Sequence, residues 1–137
     1  MVASRQSGRS LITMITAVHT LIYSENPDST RAFLRDVLGW LNVDAHGGWL
    51  IFKSGPSELG VHPTSDERQG EWSTTPHHEI SLMCDDISET MAELSDRGAE
   101  FAGPVQDQGF GLTATMRVPG ASDMTLYQPK HPVAFSL

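Results

Sequence analysis

The sequence predicts an α+β fold made of two copies of one βαβββ unit. Three observations carry that prediction. Strand-like alternation is interrupted twice by a helical apolar stripe, the same landmarks recur at matching spacings, and the composition suits a single core. A chain of 137 residues fits one domain, and a domain of that size buries about two-thirds of the surface its unfolded chain exposes.

Ile15 to Ser24 is rich in β-branched and aromatic residues and reads as a strand with His19, Leu21 and Tyr23 on one face. Asn26-Pro27 ends it and opens a helix. Asn26 can accept the free backbone N–H groups, and Pro27 needs no N–H at the first helical position. Ala32, Phe33, Leu34, Val37 and Leu38 form the apolar stripe, and Gly39 stops the helix. Strands are expected over 40–43, 49–53 and 58–62, separated by His46-Gly47-Gly48 and Ser54-Gly55-Pro56.

The plan then repeats. His78 to Asp85 alternates, with Glu79, Ser81, Met83 and Asp85 on one face and Ile80, Leu82 and Cys84 on the other. Asp86, followed three residues later by Glu89, has the form of a capping box for a helix carrying Ile87, Met91 and Leu94, and Gly98 follows it. Strands near 100–101, 112–118 and 124–128 complete the copy, with Pro119-Gly120 at the last turn. His19 precedes the cap Asn26 by 7 residues, and Glu79 precedes Asp86 by 7; His19 to Gly39 is 20, and Glu79 to Gly98 is 19. His19 and Glu79 are therefore equivalent positions.

These elements divide the chain into a disordered tail (1–13) and a single domain (14–137). The domain comprises module one (15–64), a polar linker (65–76), module two (77–129) and a short tail (130–137). The first 13 residues lack the apolar centre of a secretion signal. Net charge is −8, and because Arg5 and Arg9 lie in the tail, the domain carries seven positive residues against seventeen negative ones. That balance argues against nucleic acid, which needs clustered Lys and Arg. No apolar run is long enough for a membrane span. The lone Cys84 excludes an internal disulfide framework and fits the cytoplasm.

His19-Thr20-Leu21, the helix start Asn26-Pro27-Asp28-Ser29, the run Phe33 to Trp40, and Ser81 to Ile87 together resemble the two module openings of the vicinal oxygen chelate superfamily, the glyoxalase, bleomycin-resistance and extradiol-dioxygenase group. The likeness covers residues 15–129. It implies a glyoxalase-like fold in which curved mixed sheets enclose a cleft, and a divalent metal held there by residues from the first and last strands of each module. The first slot carries His19 and the third Glu79. The other two fall on Gly60 and Thr125, so the set of four is incomplete.

His62 is the best extra donor. With His19 and Glu79 it would make a two-His, one-carboxylate set suited to Zn, Ni, Mn or Fe(II), provided the 58–62 strand shifts register by two residues. The plainer reading has His19 and Glu79 hydrogen-bonded to each other or facing water, with no certain cofactor. Tyr23, Trp49, Phe110, Tyr127 and Thr125 are the expected lining of a cavity for a small organic ligand, with Trp72 a further aromatic candidate. His46, His77, His78 and His131 read as surface residues, and Cys84 as a small buried hydrophobe.

Three functions fit. The first is a binding protein for a small molecule, with an incomplete metal site. The second is a metal-dependent lyase, isomerase or ring-cleaving dioxygenase using His19 and Glu79, with Glu79 as ligand or catalytic base. The third is a non-catalytic dimer with a vestigial cleft. A homodimer is expected from the resemblance.

Overall fold

The computed structural model of the chain describes residue 17, residues 19–66 and residues 72–137. Helix α1 (Pro27–Ala32) starts where Asn26 and Pro27 predict. The Asn26 side chain accepts the Ser29 N–H at 3.2 Å, and Pro27 occupies the first turn. The helix runs on into a wider π-helical turn, Phe33–Val37, in which the Leu38 N–H donates to the Phe33 carbonyl at 3.1 Å. Phe33 and Leu34, adjacent in sequence, are both buried there.

Strands β1 (Asn42–Asp44) and β2 (Leu50–Phe52) form an antiparallel hairpin that pairs Val43 with Ile51. Its turn is tied by the Asp44 carboxylate, which accepts the Gly48 N–H at 3.1 Å. Two expectations fail in this half of the chain. Residues 58–62 form no strand. Gly60 offers no side chain to pack, and Pro56 and Pro63, which cannot donate to a ladder, bracket the segment. The first expected strand is also missing over residues 17 and 19–24. Its natural neighbour is the strand that 58–62 does not make. Ile15, Thr16 and Val18 lie outside the described residues, as does the tail over 1–13.

Within the polar stretch expected as a linker, β3 (Ser65–Asp66) pairs antiparallel with β4 (Trp72–Ser73). The second module then follows the predicted order: β5 (Ser81–Met83), α2 (Ile87–Asp96), β6 (Phe101–Asp107), β7 (Gly111–Met116) and β8 (Met124–Pro129). The Asp86 carboxylate accepts the Glu89 N–H at 3.0 Å, as its capping position requires. A second free amide at the helix start, that of Ile87, donates to the Gln128 side chain at 2.9 Å and fastens α2 to β8.

The four strands lie in the order β5-β8-β7-β6. β5 runs parallel to β8 and the other neighbours are antiparallel. β6 is longer than expected and carries an irregularity between Ala102 and Gln106. Because side chains alternate along a strand, one face of this sheet presents Leu112, Ala114 and Leu126 to Ile87 of α2, with Leu82, Cys84 and Met91 packed around them. Cys84 thus faces the helix, as the strand parity predicts.

A second apolar cluster joins the two halves. Phe33 and Leu34 pack with Ala99, Met116, Val118 and Met124, and Met116 is 0% exposed. The buried Thr30 hydroxyl donates to the Pro119 carbonyl at 2.6 Å and lies 2.7 Å from the Ser24 hydroxyl, while the Glu25 N–H donates to the Gly120 carbonyl at 2.8 Å. Gly120 has φ 78°, and a Cβ there would lie 2.7 Å from the Ser24 oxygen, so this turn admits only glycine without rearrangement. Among the described residues no helix is long and apolar enough to cross a membrane.

Candidate functional site

The sheet face turned away from α2 carries the polar chemistry. Its residues follow from register: Ser81 pairs with Thr125 and Thr125 with Thr115, while Met83 pairs with Tyr127 and Tyr127 with Thr113. Four hydroxyl side chains and Tyr127 are therefore neighbours on one surface. At one end of β7 and β8 the Arg117 guanidinium lies 3.0 Å from the Asp123 carboxylate. At the other end stands a group of rings.

Tyr127 is the centre of that group. Its ring lies against Gly111, where a Cβ would collide with it, so glycine is what lets the ring settle on the strand. The Tyr127 hydroxyl donates to the Phe110 carbonyl at 3.3 Å. Ring centroids are 5.7 Å apart for Phe110 and Tyr127, 6.1 Å for His62 and Phe110, and 5.7 Å for Tyr127 and His131. Burial, and then the Glu58 carboxylate, push the Tyr127 phenol above its ordinary pKa, so it stays a neutral donor. The Glu58 side chain is only 18% exposed; it accepts the Ala134 N–H at 2.7 Å and lies 4.0 Å from the His131 ring. Segment 58–62 and the C-terminal residues are thereby drawn to the same end of the sheet.

Of the expected cavity lining, Phe110, Tyr127 and Thr125 come together. Trp49 and Tyr23 do not join them. Trp49 is 66% exposed, with the Arg31 guanidinium 5.1 Å from its ring, and Tyr23 is 88% exposed. The side chain of Trp72 lies outside the described residues.

The metal-ligand set is not assembled either. His62 lies edge-on against Phe110, His19 is exposed, and the Glu79 carboxylate lies 3.2 Å from the His77 ring. Glu79 is therefore paired with His77 rather than with His19. The Thr75 carbonyl at 2.6 Å, and then Glu79, raise the His77 pKa above the ordinary histidine value. Among the described residues no three His, Cys, Asp or Glu side chains approach closely enough to hold a metal ion. With Gly60 and Thr125 in the two remaining slots, the donors present do not fit the divalent ion that the resemblance implies.

Two cavities border this sheet, and none of the four hydroxyl residues lines either. The larger, about 360 Å³, is lined by Phe33, Gly98, Glu100, Arg117, Pro119 and Asp123, at the opposite end of β7 and β8 from the ring cluster. The smaller, about 200 Å³, lies between Met83, Cys84, Asp85, Pro129, Val133 and Phe135. Burial raises the Cys84 pKa and keeps the thiol protonated.

Sequence reasoning missed Ser81, Thr113 and Thr115 as site residues, and Glu58 and His131 as supports. Thr113 and Thr115 alternate in step with Thr125 and Tyr127, so strand parity was the signal available for them. Glu58 and His131 are 73 residues apart and leave no such signal.

Residues 16–127 match the family model described as the Glyoxalase/Bleomycin resistance protein/Dioxygenase superfamily. No curated protein matches the chain. Among solved structures, the chain is similar to a lactoylglutathione lyase from Agrobacterium tumefaciens, with 16% identity, coverage of 83% of this chain and 94% of that one, and a TM-score of 0.56. It is also similar to TnmS3, described as an antibiotic binding protein from a Streptomyces species, with 19% identity, coverage of 85% and 99%, and a TM-score of 0.54. A superfamily member from Sphaerobacter thermophilus gives 20% identity, coverage of 84% and 98%, and a TM-score of 0.54. At these identities the likeness establishes the fold alone, which is the α+β, glyoxalase-like fold expected from the sequence.

Proposed function

This chain belongs to the Glyoxalase/Bleomycin resistance protein/Dioxygenase superfamily, and on that premise we propose that it binds a small organic molecule against the open face of β5–β8, without a complete metal site. The observation that carries this reading is the register that sets Thr125, Tyr127, Thr113 and Ser81 side by side, with Phe110 at their end. Ligand pockets combine apolar rings with a few placed polar groups, and this surface has that composition. The fold accommodates both a lyase and an antibiotic binding protein among the structures it resembles, so fold does not choose between them. The donor set favours binding. The alternative, a lyase, isomerase or dioxygenase using His19 and Glu79, requires a metal that Gly60 and Thr125 do not help to hold.

The protein acts in the cytoplasm in this reading and pairs as a homodimer. Support for the second copy comes from the first module, where Leu41, Leu59 and Val61 are exposed apolar side chains in need of cover. A non-catalytic dimer with a vestigial cleft is the third reading, and a specific ligand would exclude it.

Thermal shifts of protein purified without chelator test the proposal. Addition of Zn, Ni, Mn or Fe(II) is expected to leave the melting temperature unchanged, while a ligand found by screening raises it in the wild type and not in Tyr127→Ala. A metal-induced shift that disappears in both His19→Ala and Glu79→Ala would overturn the metal-free reading.

A further inference from the structure

We infer that the ligand of this face is an uncharged aromatic molecule bearing hydroxyl or carbonyl groups, and that Thr115 is a position at which its charge is discriminated. The inference rests on the binding function proposed above and adds to it the chemical class of the ligand.

The face is graded from end to end. Tyr127 and Phe110 stand at one end, the hydroxyls of Ser81, Thr113, Thr115 and Thr125 occupy the middle, and the Arg117–Asp123 pair lies beyond Thr115 and Thr125. Phe110 is 47% exposed, which leaves apolar ring surface for a flat molecule to cover. Each hydroxyl in the middle provides one donor and two acceptor sites, so the surface can meet carbonyl and hydroxyl groups alike.

Charge decides the class. The cations flanking these strands among the described residues are Arg117 and Lys130, and each is matched, Arg117 by Asp123 at 3.0 Å and Lys130 by Asp107 at 2.7 Å. A carboxylate or sulfonate placed on the hydroxyls would lose water and gain no free cation, and the loss of hydration is costly without such a partner. The Glu58 carboxylate, which acts on Tyr127 at the ring end, would repel it. A neutral ring suffers neither penalty. Thr115 sits between the ion pair and the other hydroxyls, so a cation introduced there would lie on the ligand face with no carboxylate directly opposite it in the ladder, where it meets Thr125.

Isothermal titration of the full chain with β-naphthol, naphthalene and naphthol sulfonate at neutral pH separates the contributions. We expect naphthol to bind most tightly, with naphthalene weaker by about fivefold to tenfold for the loss of a hydrogen bond and the sulfonate weaker than naphthol by at least about tenfold. Thr115→Lys should narrow the gap between naphthol and sulfonate, compared within that variant, by at least about fivefold, because the added ammonium supplies the missing cation, and an unchanged ratio would overturn the assignment of Thr115. Sulfonate binding as tight as naphthol in the wild type would overturn the neutral class and leave the binding function standing. Failure of all three probes would overturn the aromatic class. Naphthol binding that survives both Tyr127→Ala and Phe110→Ala would instead overturn the proposed face.

Discussion

Both halves of the chain carry the same order of strand and helix signals, yet they arrive at different structures. The second module closes four strands against α2 and buries Ile87, Ala114 and Leu126 between them. Among the described residues the first forms the β1–β2 hairpin, with Leu41, Val43 and Trp49 exposed, and a two-stranded hairpin alone is marginal in water. The contrast lies in the last strand of each copy. β8 reads Met-Thr-Leu-Tyr-Gln-Pro and alternates buried with partly buried side chains from Met124 to Tyr127, whereas 58–62 reads Glu-Leu-Gly-Val-His with glycine at its centre. The last strand is the one that would join the first strand to the hairpin, as β8 joins β5 to β7. Its failure therefore leaves two elements without partners.

Truncation should expose this difference most strongly. Met116→Ala empties a fully buried site in the second module and is expected to cost about 2–5 kcal/mol, whereas Val43→Ala on the exposed hairpin should cost about 0.5 kcal/mol or less. Urea unfolding of the two variants gives both values, and equal losses would mean that the hairpin is as well packed as the sheet.

The link between the halves comes next. Thr30→Val leaves the Pro119 carbonyl without its donor and should cost about 1–3 kcal/mol. The same variant should speed hydrogen exchange at the Glu25 amide, which donates to Gly120. Unchanged exchange there would mean that α1 is held by Phe33 and Leu34 alone.

The smallest effect belongs to the pair at the start of the second module. The His77 pKa lies above its ordinary value of 6.5 in the folded chain. The protonated form is therefore favoured by folding. Its stabilisation is fully present below the unfolded pKa and is lost as pH rises through the higher folded one. Glu79→Gln should lower the His77 pKa, read by NMR titration of the ring, and flatten the decline of the urea midpoint as pH rises from the ordinary histidine value through the folded one. A His77 titration unaffected by that change would leave Thr75 as the sole cause.

Much of this was legible because it is local. Asn26 and Asp86 mark helix starts whether or not the rest of the chain is known, since a capping side chain needs only the amides that follow it. Alternation in 112–118 and 124–128 likewise foretold two strands and placed Thr125 and Tyr127 on one face. Glu79 was expected within a strand over 78–85, but the strand that forms is Ser81–Met83 and Glu79 precedes it. His77 was expected at the surface and is exposed there, and its ring meets the Glu79 carboxylate in the segment before that strand.

The sequence by itself determined the family, the duplicated order of elements, the helix caps and the parity of the second module's strands, because each depends on neighbours within a few residues or on the recurrence of a pattern. Only the tertiary structure decided that the second module closes its sheet against a helix, and that Glu58, His62 and His131 gather around Phe110 and Tyr127. Closure and gathering depend on burial shared between distant segments, and that sum is not written in any one of them.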